Sequence, residues 1–309
     1  MALGTGKDLL GLRGVPKEVI LDILNNAETL KKILDTPMKK ASHLSGKTVV
    51  TLFYENSTRT RMSFELASKY LSANAANISA SASSVAKGET LIDTGRTLDV
   101  MGTDVIVMRH PMSGAPHLLA KHVKAAVING GDGINEHPTQ ALLDMLTMKE
   151  RFGDLKGLRV AIIGDIYHSR VARSNIFGLT TMGAEVTVCG PGTLLPVGLD
   201  KLGARFTDDI HEAVKSKDVV MGLRIQRERQ AGGLFPSVRE YNKYFGIDKA
   251  LLETAEDGAL VMHPGPVNRG VEMNSDVADG ENSKITEQVT NGVAVRMALL
   301  YMMTRRSGK

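Results

Sequence analysis

Two kinds of hydrophobic pattern alternate along this chain. Short apolar runs occur at Lys47 to Tyr54 (KTVVTLFY), Asp104 to Met108 (DVIVM), Ala125 to Asn129 (AAVIN), Leu158 to Ile163 (LRVAII), Glu185 to Cys189 and Asp218 to Leu223. Runs this short and rich in Val and Ile predict buried strands. Between them lie stretches with helical spacing. Gly11 to Leu34 places Val19, Ile20, Ile23, Leu24 and Leu30 on one side. Arg59 to Leu71, Val171 to Met182 and Ile210 to Lys217 follow strands, and Pro138 to Phe152 opens with proline in its first turn, where a missing N–H costs nothing. Asn282 to Thr304 predicts a closing amphipathic helix, with Val289, Val293, Met297 and Leu300 at helical spacing. Strands alternating with helices imply an α/β fold whose mainly parallel sheets carry helices on both faces. The scheme restarts after Gly153 to Gly157. Two domains are expected, residues 1–150 and 151–286, with a final helix over 287–309 packing back on the first.

Composition changes the picture in a few respects only. A length of 309 residues fits two cores of roughly 150 residues each. The opening residues, Met1 to Leu10, lack the basic start and apolar run of a secretory signal. No apolar stretch approaches the roughly 18 residues of a membrane span. A single cysteine, Cys189, excludes an internal disulfide framework and fits a reducing cytoplasm. The 38 basic and 34 acidic residues leave a net charge of +4, and they are interleaved. With 4% aromatic residues and no Trp, stacking platforms for nucleic acid are scarce. A mild basic excess suits a pocket for small anions instead.

In open α/β sheets ligands bind where strands end and helices begin, so the informative loops are those after the strands. Ser57-Thr58-Arg59-Thr60 lies between a strand and a helix. One hydroxyl there is explained by capping. Three hydroxyls and an arginine at a helix start make a site for phosphate oxygens. Arg109-His110-Pro111 follows the next strand, and His137-Pro138-Thr139-Gln140 opens a helix, with His137 and Gln140 on one face. Ser83 to Glu89 is small and polar and reads as a mobile loop, in which Lys87 would ordinarily be solvated. Gly164-Asp165 with Arg170 follows the first strand of the second half but is not GxGxxG, so a dinucleotide site is not expected. Arg224 and Gln226 share one side of a strand end. His263-Pro264-Gly265-Pro266 forms a stiff turn with exposed carbonyls. No His, Cys or carboxylate cluster has metal-ligand spacing.

These segments together resemble the carbamoyltransferase family along nearly the whole chain. STRTRMSFE, a Lys-Gly-Glu-Thr loop, MRHP, HPTQALLD, GDIYHSRVARSN and LRIQRER occur in the family's order. The branch is similar to the aspartate-specific one. Ornithine-specific relatives carry a His-Cys-Leu-Pro turn, whereas the turn here holds Pro264 and Gly265 and no cysteine. Gly265 stands where the family often has Leu or Ala, and extra flexibility is the expected consequence. Arg170 and Arg224 suit a dicarboxylate and would repel a cationic acceptor.

The resemblance implies transfer of a carbamoyl group from carbamoyl phosphate to the amine of L-aspartate, in pyrimidine biosynthesis, with no metal or organic cofactor; the alternative is an ornithine-type or other carbamoyltransferase. It implies that residues 1–150 bind carbamoyl phosphate and 151–286 bind aspartate. Ser57, Thr58, Arg59, Thr60 and Arg109 would hold the phosphate. Thr60, Arg109 and His137 would face the carbonyl oxygen, with His137 a neutral donor. Gln140 and the Gly265 and Pro266 carbonyls would take the carbamoyl NH₂. Lys87, Arg170, Arg224 and Gln226 would bind the aspartate carboxylates. Catalysis would fall to Arg59, Thr60, Lys87, Arg109 and His137. Ser83 and Lys87 would come from a neighbouring subunit of a homotrimer, and Glu55 would bridge to Arg170 and Arg229 on domain closure. A regulatory chain or another enzyme of the pathway would be a possible partner, nucleic acid and membrane would not. A nicotinamide-dependent oxidoreductase would share the doubled α/β pattern but requires GxGxxG and a ribose-binding acid. A non-catalytic anion-binding module would be expected to have lost some of these residues.

Overall fold

The computed structural model describes residues 6–79, 88–226 and 237–305. In chain order its first elements are α1 (Lys17–Lys31), β1 (Thr48–Phe53), α2 (Thr58–Tyr70), β2 (Asn74–Ser79), α3 (Leu91–Val100), β3 (Val105–His110), α4 (Ala115–Ala120), β4 (Ala126–Asp132) and α5 (Pro138–Phe152). Then follow β5 (Arg159–Ile163), α6 (Arg170–Met182), β6 (Glu185–Cys189), β7 (Arg205–Thr207), α7 (Ile210–Val214), β8 (Val219–Gly222), α8 (Val238–Phe245), α9 (Lys249–Leu252), β9 (Leu260–Met262), α10 (Ser275–Ala278) and α11 (Ile285–Thr304). The chain divides into one unit of Met1–Leu146 with Val289–Lys309 and a second of Thr147–Gln288.

Each unit contains one sheet in which every neighbouring pair is parallel. The first runs β2-β1-β3-β4 and the second β7-β6-β5-β8-β9. Strand β1 is buried from its second residue and β4, at the end of the sheet, throughout, as expected where helices flank a parallel sheet. In the first unit Val50, Leu52, Ile106, Met108 and Val127 pack against Leu98 of α3 and Leu119 of α4. In the second, Ala161, Ile163, Val220 and Val261 pack with Ile210, Ala213, Ile247 and Met273.

Three expectations change, and one strand appears that the pattern did not predict. The first helix begins at Lys17, after Pro16 at its N-cap, and not at Gly11. The preceding backbone is claimed by a distant carboxylate: Glu136 accepts from Leu12 N–H at 2.7 Å and from Arg13 N–H at 3.3 Å. The helix after β7 stops at Val214, because Lys215 leaves the helical region at ψ 124° and Ser216 turns at φ 55°. The closing helix is not amphipathic along the expected stripe. Val289 is exposed, whereas Ala294, Val295, Met297, Ala298, Leu299 and Leu300 are all buried, so its middle is covered nearly all round. Strand β2 (NAANIS) has no hydrophobic run and is largely exposed. As an edge strand it exists through its ladder to β1, a tertiary cause that periodicity does not reveal.

Candidate active site

Both sheets reverse their strand order at one place. In the first unit β1 leads to β2 on one side while β3 leads to β4 on the other. In the second, β5 leads to β6 and β7, while β8 leads to β9. The loops at the carboxyl ends of the two central strands therefore diverge and leave a crevice. Ser57 to Thr60, Arg109, Arg170, Arg224 and Gln226 follow these central strands, whereas His137 and Gln140 follow β4 and Gly265 and Pro266 follow β9.

In the first unit Phe53 of β1 pairs with Arg109 of β3, and Tyr54 N–H donates to the Arg109 carbonyl at 2.9 Å. This register puts the loop leading to Ser57 beside the Arg109 side chain. Ser57 is the N-cap of α2 but makes no side-chain capping bond, unlike Ser169 at α6 and Ser237 at α8. Thr58 and Arg59 are exposed, and Thr60 is buried. A helix start presents backbone N–H groups and the positive end of its dipole to an anion. Arg109 Nε lies 3.1 Å from Glu55 Oε2, and its Nη1 donates to the Gly130 carbonyl at 3.3 Å. The guanidinium is thereby held over the end of the sheet.

His137 and Gln140, both buried, reach the same end of this sheet through β4. Asp132 stands in β4 and Glu136 directly precedes His137. Asn129 Nδ2 donates to Asp132 Oδ1 at 2.7 Å and to the Leu10 carbonyl at 2.9 Å. Asp132 in turn accepts from Gly114 N–H at 2.7 Å and Glu136 N–H at 3.1 Å. These buried bonds fix the turn that presents His137, whose Nδ1 is 3.5 Å from Thr139 Oγ1. The Gln140 amide is oriented as well: its Nε2 donates to Asp144 Oδ1 at 2.9 Å. That leaves the amide oxygen as an acceptor for a ligand N–H. Asn129, Asp132, Glu136 and Asp144 escaped sequence reasoning. The signal was present for Asp144, one carboxylate inside the apolar run ALLDMLTM, four residues after Gln140.

The Tyr54 and His110 rings pack at this end of the sheet in a tilted arrangement, centroids 4.6 Å apart and planes inclined by 55°. Burial pulls the His110 pKa down, while the Glu55 and Asp132 charges oppose this.

In the second unit the end of β5 and the end of β8 approach closely. Gly164 lies at φ 145°, and a Cβ there would come within 2.6 Å of the Leu223 carbonyl oxygen, so only glycine fits. The loop from Gly164 to α6 is buried and polar. Asp165 accepts from His168 N–H at 3.1 Å, pairs with His168 Nδ1 at 2.9 Å, and accepts from Gln226 N–H at 3.4 Å. It thereby ties the Arg170 loop to the Arg224–Gln226 strand end. Ser169 caps α6 by accepting from Ala172 N–H at 3.1 Å, with Arg170 buried in the first turn. Arg224 and Gln226 are both part-exposed, with Ile225 buried between them, as the strand alternation predicts. Gly265 and Pro266 follow β9, the neighbour of β8. Gly265 has φ 67°, a conformation costly for a residue with a Cβ, so glycine here relieves strain, where the sequence reading foresaw only added flexibility. Ser83, Lys87 and Arg229 lie outside the described residues.

Among the described residues no group of His, Cys, Asp and Glu is arranged to hold a metal ion, and no helix is long and apolar enough to cross a membrane.

Comparison with known proteins follows the same division. Residues 7–150 match the aspartate/ornithine carbamoyltransferase carbamoyl-P binding domain, and residues 156–303 match the Asp/Orn binding domain of that family. The chain is 69% identical over 300 residues to the aspartate carbamoyltransferase catalytic subunit of Acetivibrio thermocellus, covering 97% of this chain and 96% of that protein. It is 67% identical to the corresponding subunit of Ruminiclostridium cellulolyticum, with the same coverage. Among solved structures, Trypanosoma cruzi aspartate transcarbamoylase in complex with N-(phosphonacetyl)-L-aspartic acid superposes with a TM-score of 0.88 at 30% identity, over 98% of this chain and 97% of that one. Ornithine carbamoyltransferase from Thermus thermophilus superposes at 0.86 with 27% identity, over 96% of this chain and 99% of that one. Two family domains that together span nearly all of the sequence, and full-length relatives at this identity, place the chain in the aspartate/ornithine carbamoyltransferase family.

Proposed function

We propose that the chain transfers the carbamoyl group of carbamoyl phosphate to the amine of L-aspartate, giving N-carbamoyl-L-aspartate and phosphate, in the cytoplasm as a step of pyrimidine biosynthesis. The observation that carries the chemistry is the α2 start, uncapped by Ser57 and set beside Arg109 at the switch point of the first sheet. Aspartate is favoured over ornithine by the arginines of the second unit, Arg170 and Arg224, and by the relatives' names.

Carbamoyl phosphate is already activated, since phosphate leaves readily. The aspartate amine attacks the carbamoyl carbon and the C–N bond forms; the tetrahedral intermediate then collapses with cleavage of the C–O bond to phosphate, the amine proton leaving with the departing phosphate. What the protein contributes is alignment and stabilisation of the oxyanion. Ser57, Thr58, Arg59, Thr60 and Arg109 bind the phosphate. Thr60, Arg109 and His137 donate to the carbamoyl oxygen. The Gln140 amide oxygen, turned outward by Asp144, and the Gly265 and Pro266 carbonyls accept from the carbamoyl NH₂. Arg170, Arg224 and Gln226 take the aspartate carboxylates. Each charged hydrogen bond is worth about 1.5–3 kcal/mol, so loss of Arg59 or Arg109 should cost roughly one to two powers of ten in rate.

By the family resemblance Ser83 and Lys87 complete the site from a neighbouring chain of a homotrimer, and Glu55 pairs with Arg170 and Arg229 as the units close. Mixing inactive Arg59→Ala and Lys87→Ala trimers after dissociation should restore about one quarter of the sites in a head-to-tail ring. Activity that stayed at the parental level despite subunit exchange would remove the shared site. The activity itself is tested by a carbamoyl-transfer assay with aspartate and ornithine as rival acceptors. Aspartate should be the better acceptor, and N-(phosphonacetyl)-L-aspartate should bind far more tightly than either substrate because it joins both halves of the transition state. A preference for ornithine would overturn the assignment.

A further inference from the structure

The turn at Gly265 and Pro266 is held from behind by a buried histidine and a buried glutamate that no step above uses. His263 follows β9 and is 1% exposed; Glu272, nine residues on, is also 1% exposed. The ring has been given room. At Gly222, in the neighbouring strand β8, a Cβ would come within 3.3 Å of the His263 ring and 3.2 Å of Met273 Cε.

The polar atoms of this pair have a defined order. The Gly265 backbone N–H points at His263 Nδ1, at 2.8 Å. A backbone N–H can only donate, so Nδ1 must be the unprotonated nitrogen. The proton of the neutral ring then sits on Nε2, which lies 3.3 Å from Glu272 Oε1, close enough for the carboxylate charge to favour it but off the hydrogen-bond direction. The same carboxylate oxygen accepts from Asn268 N–H at 2.6 Å. The main chain of His263 is pinned as well, its N–H donating to Gln288 Oε1 at 2.9 Å. The order runs from Glu272 to the ring, from the ring to Gly265 N–H, and so to the orientation of the Gly265–Pro266 peptide. Gly265 sits at φ 67°, where a residue without a Cβ is conformationally free, so its carbonyl direction depends on what grips its N–H.

We infer that Glu272 is a positioning residue for carbamoyl transfer: it fixes His263 as the Nε2–H tautomer, and the ring in turn aims the Gly265 and Pro266 carbonyls at the carbamoyl NH₂. This rests on the role given above to those two carbonyls. A carboxylate behind a histidine that sets its tautomer and ring plane is a recurring arrangement where the other nitrogen has a task. Here that task is to hold a backbone N–H.

The test has a spectroscopic arm and a kinetic arm on the full chain. In protein labelled with ¹⁵N-histidine, the His263 signals, assigned by their loss in His263→Asn, should report Nε2 protonated and Nδ1 bare. A proton on Nδ1 would overturn the inference, whatever the enzyme's activity. In the kinetic arm, Glu272→Leu should lower kcat/KM for carbamoyl phosphate by about tenfold, the lower end of what loss of an orienting partner costs. Asparagine at position 263 can accept from Gly265 N–H with its side-chain oxygen and needs no tautomer. His263→Asn should therefore retain more activity than His263→Leu, and adding Glu272→Leu to His263→Asn should cost nothing further in kcat/KM. If Glu272→Leu costs the same in both backgrounds, Glu272 supports the fold alone and the positioning role is wrong. Should Glu272→Leu fail to fold, the Asn and Leu variants at 263 still decide, since equal loss in both refutes the aimed turn. Failure of the functional reading shows separately, as absence of carbamoyl transfer to aspartate by the unmodified chain.

Discussion

Replacing Arg296 by methionine perturbs the first unit at a point where three helices meet. Arg296 of α11 is buried. Its guanidinium donates to Ser63 Oγ of α2 at 2.9 Å and to Thr139 Oγ1 of α5 at 3.4 Å, and lies 5.2 Å from the centre of the Phe64 ring. Gly292, one turn earlier, leaves the space, since a Cβ there would sit 2.6 Å from Arg296 Nη1. Burial pulls the pKa of this arginine down to about 10, opposed by the charge of Asp144, so it remains a cation at neutral pH. Methionine fills the volume of the stem but removes the bonds. The stronger bond is worth about 1.5–3 kcal/mol, and the longer one less. The contact with Phe64 adds about 0.5–2 kcal/mol. The buried charge of Asp144 also loses its offsetting cation. The expected loss is roughly 3–5 kcal/mol, or a fall of about 6–20 °C in Tm for a unit of this size. Scanning calorimetry checks this, with Arg296→Lys as the control that keeps the charge but not the planar fork and should fall in between. Because Ser63 and Thr139 lie near the starts of α2 and α5, the KM for carbamoyl phosphate should rise as well. A Tm within a degree of the parent for Arg296→Met would refute the reasoning.

Cys189 is buried, and burial with the nearby charges of Asp209, Asp208 and Glu212 pushes its thiol pKa up to about 12. At pH 8 the native chain should react with a thiol-specific disulfide reagent far more slowly than the chain in denaturant, and equal rates would contradict the burial. His110 predicts a pH dependence. Its pKa is lowered in the folded state from 6.5, chiefly by burial, so the unfolded chain binds the proton more readily and stability rises with pH in this range. Stability should therefore fall as pH drops through about 6.5, and His110→Gln should flatten that part of the profile in denaturant titrations. A profile unchanged by the substitution would assign the loss to other groups.

The sequence by itself determined the strand and helix alternation, because parallel strands such as LRVAII and AAVIN are buried on both faces and write themselves as apolar runs. It also marked which loops to inspect for chemistry, since hydroxyls, arginines and a His-Pro step at strand ends have no part in a core. Pro138 fixed the start of α5 outright, and Glu185–Cys189 emerged with its observed bounds. What depended on residues far apart in sequence was decided only in three dimensions. Strand β2 has no pattern of its own and exists because β1 offers a ladder. Helix α1 starts late because Glu136, more than a hundred residues away, takes the backbone that would have begun it. Helix α11 is buried past the stripe its spacing implied, so its Arg296 became an internal tie and not a surface charge. The residues that orient the site were invisible for the same reason. Asp132, Asp144, Asp165 and Glu272 are single carboxylates whose meaning lies in their partners, and a hydrogen bond across a fold leaves no local spacing to read.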